Sequence, residues 1–180
     1  MTVQWRWIGL LAGFFVAFVL EGTLFYWFLP ADWTLRVSPR LVMIGLVFTA
    51  VFMNRYAALA LGIVFGFLHD VMYYGHMLGV HTFAMGLVGY GAGLFFQRRF
   101  VSFSYLLMVC ALSLLAADTI VELIYRLFRV VSAPLEWSLI HHILPSLMFN
   151  LFLFVLVYVP VRQWMEKGAE KENAEEEANG

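Results

Sequence analysis

Between Trp7 and Pro160 the chain is a series of long apolar runs broken only by short polar turns. That pattern constrains the fold more than any motif does. Hydrocarbon offers a backbone no hydrogen-bond partners, so only helices or closed barrels cross a bilayer. Runs of this length, without the two-residue alternation of barrel strands, predict helices. Composition agrees. Hydrophobic residues make up 63% of the 180 residues and charged ones only 13%, against about 25% charged in soluble domains. The expected class is an all-α, polytopic integral membrane protein.

Hydropathy divides the chain into six spans, at about Trp7–Leu29, Leu41–Met53, Tyr56–Tyr74, Met77–Phe96, Val101–Tyr125 and Trp137–Pro160. The first is longer than a signal-peptide core, contains Glu21 and lacks a small-residue cleavage site, so it reads as retained. The second is short unless it extends into Ser38-Pro39-Arg40. Turns are tight at Asn54-Arg55, Gly75-His76 and Gln97-Arg98-Arg99, and longer loops cover residues 30–39 and 126–136. Trp5, Trp7, Trp27, Trp33, Trp137 and Trp164 all fall at span ends, where an indole keeps its ring in lipid and its N–H in water. Residues 1–165 thus form one transmembrane domain. Residues 166–180 carry six glutamates and two lysines without an apolar stripe. They are expected to extend the last span briefly and then form a disordered charged tail.

Lysine and arginine set the orientation. Arg6, Arg55, Arg98, Arg99, Arg162, Lys167 and Lys171 collect on one side, and Arg36, Arg40, Arg126 and Arg129 on the other. The first group is the larger, which puts both termini in the cytoplasm.

Asp70 is the residue that demands an explanation. It lies in an otherwise apolar span, where a carboxylate costs roughly 2.5 kcal/mol or more unless it faces protein or water. At about 1.5 Å of rise per residue, Glu21, Asp70, Asp118, Glu122, His76, His81, His141 and His142 all reach the outer half of the membrane, near the external arginines. The expectation is a polar cluster or a water-filled vestibule open outward, with Arg40 among the partners. Asp118 and Glu122 share a helix face at i,i+4 spacing. Snorkelling at the interface is the simpler reading for Glu21 and Glu122.

The histidines form no H-E-x-x-H pair, and Cys110 is the only cysteine, so neither a metal site nor a disulfide within the chain is expected. There is no G-x-S-x-G, P-loop or dinucleotide fingerprint. No basic stripe outside the spans points to nucleic acid. Gly62 and Gly66 on the third span, and Gly89 and Gly93 on the fourth, are G-x-x-x-G pairs that let helix backbones approach closely. They serve either internal packing of these two spans or docking of an external helix.

The central stretch resembles the MreD family of bacterial rod shape-determining membrane proteins. The residues that carry the likeness are Pro39-Arg40 opening an apolar span, Asn54 at the next turn and Gly62-Ile-Val-Phe-Gly66-Phe-Leu-His-Asp70. Leu78-Gly79-Val80 and the glycine-rich Gly86-Leu-Val-Gly89-Tyr90 continue it. The resemblance covers about residues 5–160 and is strongest over 39–93. It implies a six-helix bundle similar to the substrate-binding subunits of energy-coupling-factor vitamin transporters. It also implies a non-catalytic role without a cofactor in the bacterial cytoplasmic membrane. Such a protein binds MreC and works with RodA, a class B penicillin-binding protein and MreB in peptidoglycan synthesis. A vitamin-binding transporter subunit with a pocket near the outer face is the alternative, although Ala12-Gly13 and Ala17 give only a weak small-residue signal in span one. An intramembrane hydrolase using Asp70 and a histidine is the third reading, and it lacks a nucleophile–base spacing.

Overall fold

Apolar helices with no water to bond must bury or pair every non-helical stretch of backbone, and the arrangement of this chain follows from that demand. The computed structural model describes residues 2–28, 37–73, 77–96, 102–131 and 135–179. The described residues form six helices and no strand: α1 (Thr2–Phe28), α2 (Leu41–Phe52), α3 (Arg55–Met72), α4 (Val80–Phe96), α5 (Phe103–Leu127) and α6. The sixth begins with a turn at Leu135–Ser138, passes through a π-helical stretch at Leu139–Ile143 and continues as Leu144–Asn179. The expected turns at Gly75-His76 and Gln97-Arg98-Arg99 lie outside the described residues, as do the loop around Arg36 and the side chains of Trp5, Trp27, Trp33 and Trp164.

Among the described residues, three helices are long and apolar enough to cross a membrane: Arg55–Met72, Phe103–Leu127 and the part of α6 from Leu139 to Val161. In contrast, α2 has only twelve residues, about 18 Å at helical rise against a hydrocarbon core of about 30 Å. It does not extend into Ser38-Pro39-Arg40, which is non-helical. It is instead the centre of the bundle. Nine of its residues are buried, and it packs against each of the other five helices. A helix apolar on every side belongs in a core, and here Phe48 meets Phe154 at 5.6 Å between ring centroids. Outward faces are left apolar for lipid, as at Phe15 and Val16 on α1, Val64 and Phe67 on α3, and Phe152 and Leu156 on α6.

The helices α3 and α4 form the tightest pair. A methyl on Gly62 would stand 2.7 Å from the Met85 carbonyl oxygen, and one on Gly66 would stand 2.7 Å from that of His81. Gly89 comes against Ala58 and Gly93 against Arg55 in the same way. Both G-x-x-x-G pairs therefore serve internal packing of α3 on α4. Asn54 begins this hairpin: its side chain accepts a hydrogen bond from the Tyr56 N–H at 3.1 Å, capping α3.

Two features of α6 have local causes. Pro145 has no N–H to donate and crowds the preceding turn. The chain accommodates it by widening into the π-helical stretch, where the Leu144 N–H reaches Leu139 O. At the other end the helix runs on to Asn179, whereas the charged composition suggests early disorder. Alanine, glutamate and lysine are strong helix formers, and the segment Glu166–Asn179 is rich in all three.

Candidate functional site: a layer of carboxylate-capped helix starts

The first N–H groups of any helix lack intrahelical partners. Both α2 and α4 start inside the bundle, so these donors must be met by side chains. Neighbouring helices supply them.

Asp70, on α3, meets the start of α4. Its Oδ2 accepts from the Gly79 N–H at 2.9 Å, the Thr82 N–H at 3.1 Å and the Thr82 hydroxyl at 2.9 Å. Its Oδ1 accepts from the His81 N–H at 3.1 Å and lies 2.9 Å from His81 Nδ1. Gly79 adopts φ +97°, a left-handed conformation that a side chain would strain, and so turns the chain onto the carboxylate. Asp70 is thus an N-cap supplied in trans, and its side chain is fully buried. A carboxylate at a helix N-terminus also meets the positive end of the helix dipole.

Glu21, on α1, does the same for α2. Its Oε2 accepts from the Val42 N–H at 3.1 Å. The three residues ahead of α2 are tied down by α6. Asn150 accepts from the Arg40 N–H at 2.7 Å and donates to Ser38 O at 2.8 Å, and the Ser146 hydroxyl accepts from the Ser38 N–H at 3.0 Å. The guanidinium of Arg40 reaches α5, where it pairs with Asp118 at 2.8 Å. One layer therefore joins all six helices: Glu21 on α1, Arg40 before α2, His69 and Asp70 on α3, His81 on α4, Asp118 on α5 and Asn150 on α6. The His69 and His81 rings lie 4.3 Å apart in its middle.

Some of the ionisable residues stand apart from this layer. Glu122 pairs with Arg126, four residues on, at 2.9 Å, and Arg126 also donates to the Ser138 hydroxyl at 3.3 Å. Arg129 has left the helix, at φ 57°, and is exposed. His141 and His142 are exposed, with the His141 ring stacked on Trp137 at 4.9 Å. His76 lies outside the described residues. Sequence reasoning passed over Asn150, Ser38, Ser146 and Thr82 as partners. The signal for Asn150 was present, since an amide in the apolar run Leu144–Val159 needs a buried partner.

Two spaces border the layer. A cavity of about 180 Å³ is lined by Glu21, Ser38, Arg40, His69, Tyr73 and His81, among others. A larger apolar groove, about 490 Å³, runs between α1, α2 and α6. Gly9, Gly13 and Ala17 line it along α1 at four-residue spacing, and Gly45 lines it on α2. The small-residue stripe of α1 is therefore stronger than Ala12-Gly13 and Ala17 alone suggest. Among the described residues, no group of three or more His, Cys, Asp or Glu could hold a metal ion.

The family described as rod shape-determining protein MreD matches residues 1–168 of the chain. The chain belongs to the MreD family. It is similar to the rod shape-determining protein MreD of Bacillus subtilis (strain 168), with 25% identity over 126 residues. That match covers 70% of this chain and 73% of the relative. No solved structure matches the chain with statistical significance. The matched region takes in every residue of the polar layer, so the trans-capped helix starts lie within an MreD-family membrane protein.

Proposed function

We propose that this chain is a non-catalytic membrane scaffold of the bacterial cell-elongation machinery. In this reading it sits multi-pass in the cytoplasmic membrane with both termini in the cytoplasm. It binds the transmembrane helix of MreC, and it supports peptidoglycan synthesis alongside RodA, a class B penicillin-binding protein and MreB.

Membership of the MreD family over residues 1–168 carries this reading. Two structural features support it. Asp70, Asp118 and Asn150 are engaged in holding helix starts and helix contacts together, as a rigid scaffold requires. The apolar groove between α1, α2 and α6 has Gly9, Gly13, Ala17 and Gly45 in its lining, and small residues suit close approach of another helix in lipid. The vitamin-transporter reading gains nothing from the cavity. At about 180 Å³ it is smaller than the roughly 300–1,000 Å³ of sites for drug-sized ligands.

The test is co-purification from cells that depend on this chain for shape. Tagged protein in mild detergent should bring down MreC, and depletion should round the cells. Gly13→Leu intrudes into the groove at a position where an added Cβ meets no atom within 4 Å, so it should weaken MreC capture with abundance unchanged. Failure to retain MreC, together with rod-shaped depleted cells, would remove the proposal.

A further inference from the structure

Helix α1 is fastened firmly over only part of its length. Near the polar layer it is tied to two helices. Glu21 Oε2 accepts from the Val42 N–H at 3.1 Å. The Tyr73 hydroxyl donates to Phe18 O at 3.0 Å, and the Phe18 and Tyr73 rings lie 5.3 Å apart. Gly22 admits this contact, since a methyl there would overlap the Tyr73 hydroxyl. Residues 8–17 are held differently. They carry no polar side chain, so this stretch forms no side-chain hydrogen bond of its own. Within it only Leu10 and Phe14 are buried.

One flank of that stretch faces open space. The apolar groove of about 490 Å³ lies between Gly9, Gly13 and Ala17 on α1 and Val157, Pro160 and Val161 on α6. An added Cβ at Gly13 would meet no atom within 4 Å.

A space of this size is costly when empty, because the atoms that line it lose their packing contacts. In a bilayer it is filled by acyl chains, by another helix or by α1 itself. Helices associate in lipid through packing and through the lipid entropy that contact releases, so an acyl chain confined to a groove is the less favourable filling. Glycine and alanine at four-residue spacing let one helix backbone come close to another, and α1 carries that spacing on the flank that faces α6. Gly9 lies nine residues from Phe18, about 14 Å at helical rise. A tilt of α1 about its fastened segment therefore moves Gly9 and Gly13 furthest and leaves the Glu21 cap in place.

We propose that α1 is a strap, pinned at residues 18–22, that closes on α6 through Gly9, Gly13 and Ala17 when no other helix lies in the groove. The closure does not depend on the scaffold reading above. That MreC is the helix which holds the strap open does rest on it.

Disulfide trapping in the full chain, in its native membrane, tests the closure. The first pair is Gly13→Cys with Val157→Cys, and the second is Ala17→Cys with Val157→Cys. The native Cys110 is buried, and a cysteine of that kind is inert. The rate of disulfide formation is read in membranes without MreC, with and without Gly9→Leu, which lies outside both pairs. Melting temperatures show that each variant is folded. At least one pair should close readily, and Gly9→Leu should slow it by roughly fivefold or more, the scale of an overpacked contact. Co-expressed MreC should slow it by a similar factor. If neither pair closes in folded protein, or Gly9→Leu leaves the rate unchanged, the strap is overturned. If Gly9→Leu slows trapping and MreC does not, the strap stands and the docking of MreC in this groove is lost.

Discussion

Asp70 and Glu21 solve one problem in two different ways. Each is a buried carboxylate on one helix that caps the start of another inside the bundle. Asp70 is saturated: four donors converge on its two oxygens, and His81 Nδ1 lies beside it. Glu21 is half used, with Oε2 on the Val42 N–H and Oε1 without a hydrogen-bond partner, 3.6 Å from His69 Nε2. The difference separates a carboxylate fully consumed by the fold from one with capacity to spare. It also shows that an expensive intramembrane charge is not by itself evidence of chemistry. The backbone of a re-entering helix start needs acceptors as much as any substrate does.

That contrast sets an order of sensitivity. The largest loss is expected for Asp70→Ala, which strands three N–H groups and a hydroxyl in a buried site. Removing one member of a buried charged network typically costs about 3–5 kcal/mol, and Asp70→Asn, which keeps one good acceptor, should cost clearly less. Chemical denaturation of the purified protein in a fixed detergent would measure both. Equal stability of Asp70→Ala and wild type would break the comparison at its stronger end.

Overpacking of the α3–α4 contact comes next. Gly66→Ala places a methyl against the backbone of His81 and Thr82, and such insertions cost about 1–3 kcal/mol. It should also disturb the geometry that brings the α4 start onto Asp70. A drop in melting temperature for Gly66→Ala, against none for Gly13→Ala on the open face of α1, is the expected pattern.

Glu21→Ala is expected to fall lower still, at about 1 kcal/mol, the usual worth of a lost N-cap acceptor. Glu21→Gln should be close to neutral in stability, because it preserves the oxygen for Val42. A Glu21→Ala loss as large as that of Asp70→Ala would mean that the two caps are equivalent and that Oε1 contributes to the fold. The smallest effect is assigned to Glu122→Gln. Its partner Arg126 is one helical turn away and partly exposed, and pairs of this kind contribute roughly 0–1 kcal/mol. The same denaturation series would place it.

Much of the fold was legible in the sequence. Apolar runs marked the six helices, because a bilayer protein must write its spans in hydropathy. That Glu21, Asp70 and Asp118 would come to one level of the bundle was legible too, from counting helical rise. What hid was their partners. A carboxylate in an apolar run announces that it must be satisfied but not by what, and the donors here are mostly backbone N–H groups with no sequence signature. The twelve-residue length of α2 held the missing clue. A helix too short to cross must begin inside the bundle, and its first turn must then be capped from elsewhere. Asn150 and Ser146 answer that need from a helix more than a hundred residues away in the chain, a pairing that local pattern cannot reveal.

The central claim is that Asp70 exists to hold the first turn of α4. Hydrogen–deuterium exchange resolved to single amides tests it most directly, comparing wild type with Asp70→Asn and Asp70→Ala in the same detergent. The account predicts that the amides of Gly79, His81 and Thr82 are protected in wild type. They should exchange faster in Asp70→Asn and fastest in Asp70→Ala, while the Val42 amide, held by Glu21, stays protected. Unchanged protection at Gly79, His81 and Thr82 in a folded Asp70→Ala protein would contradict it.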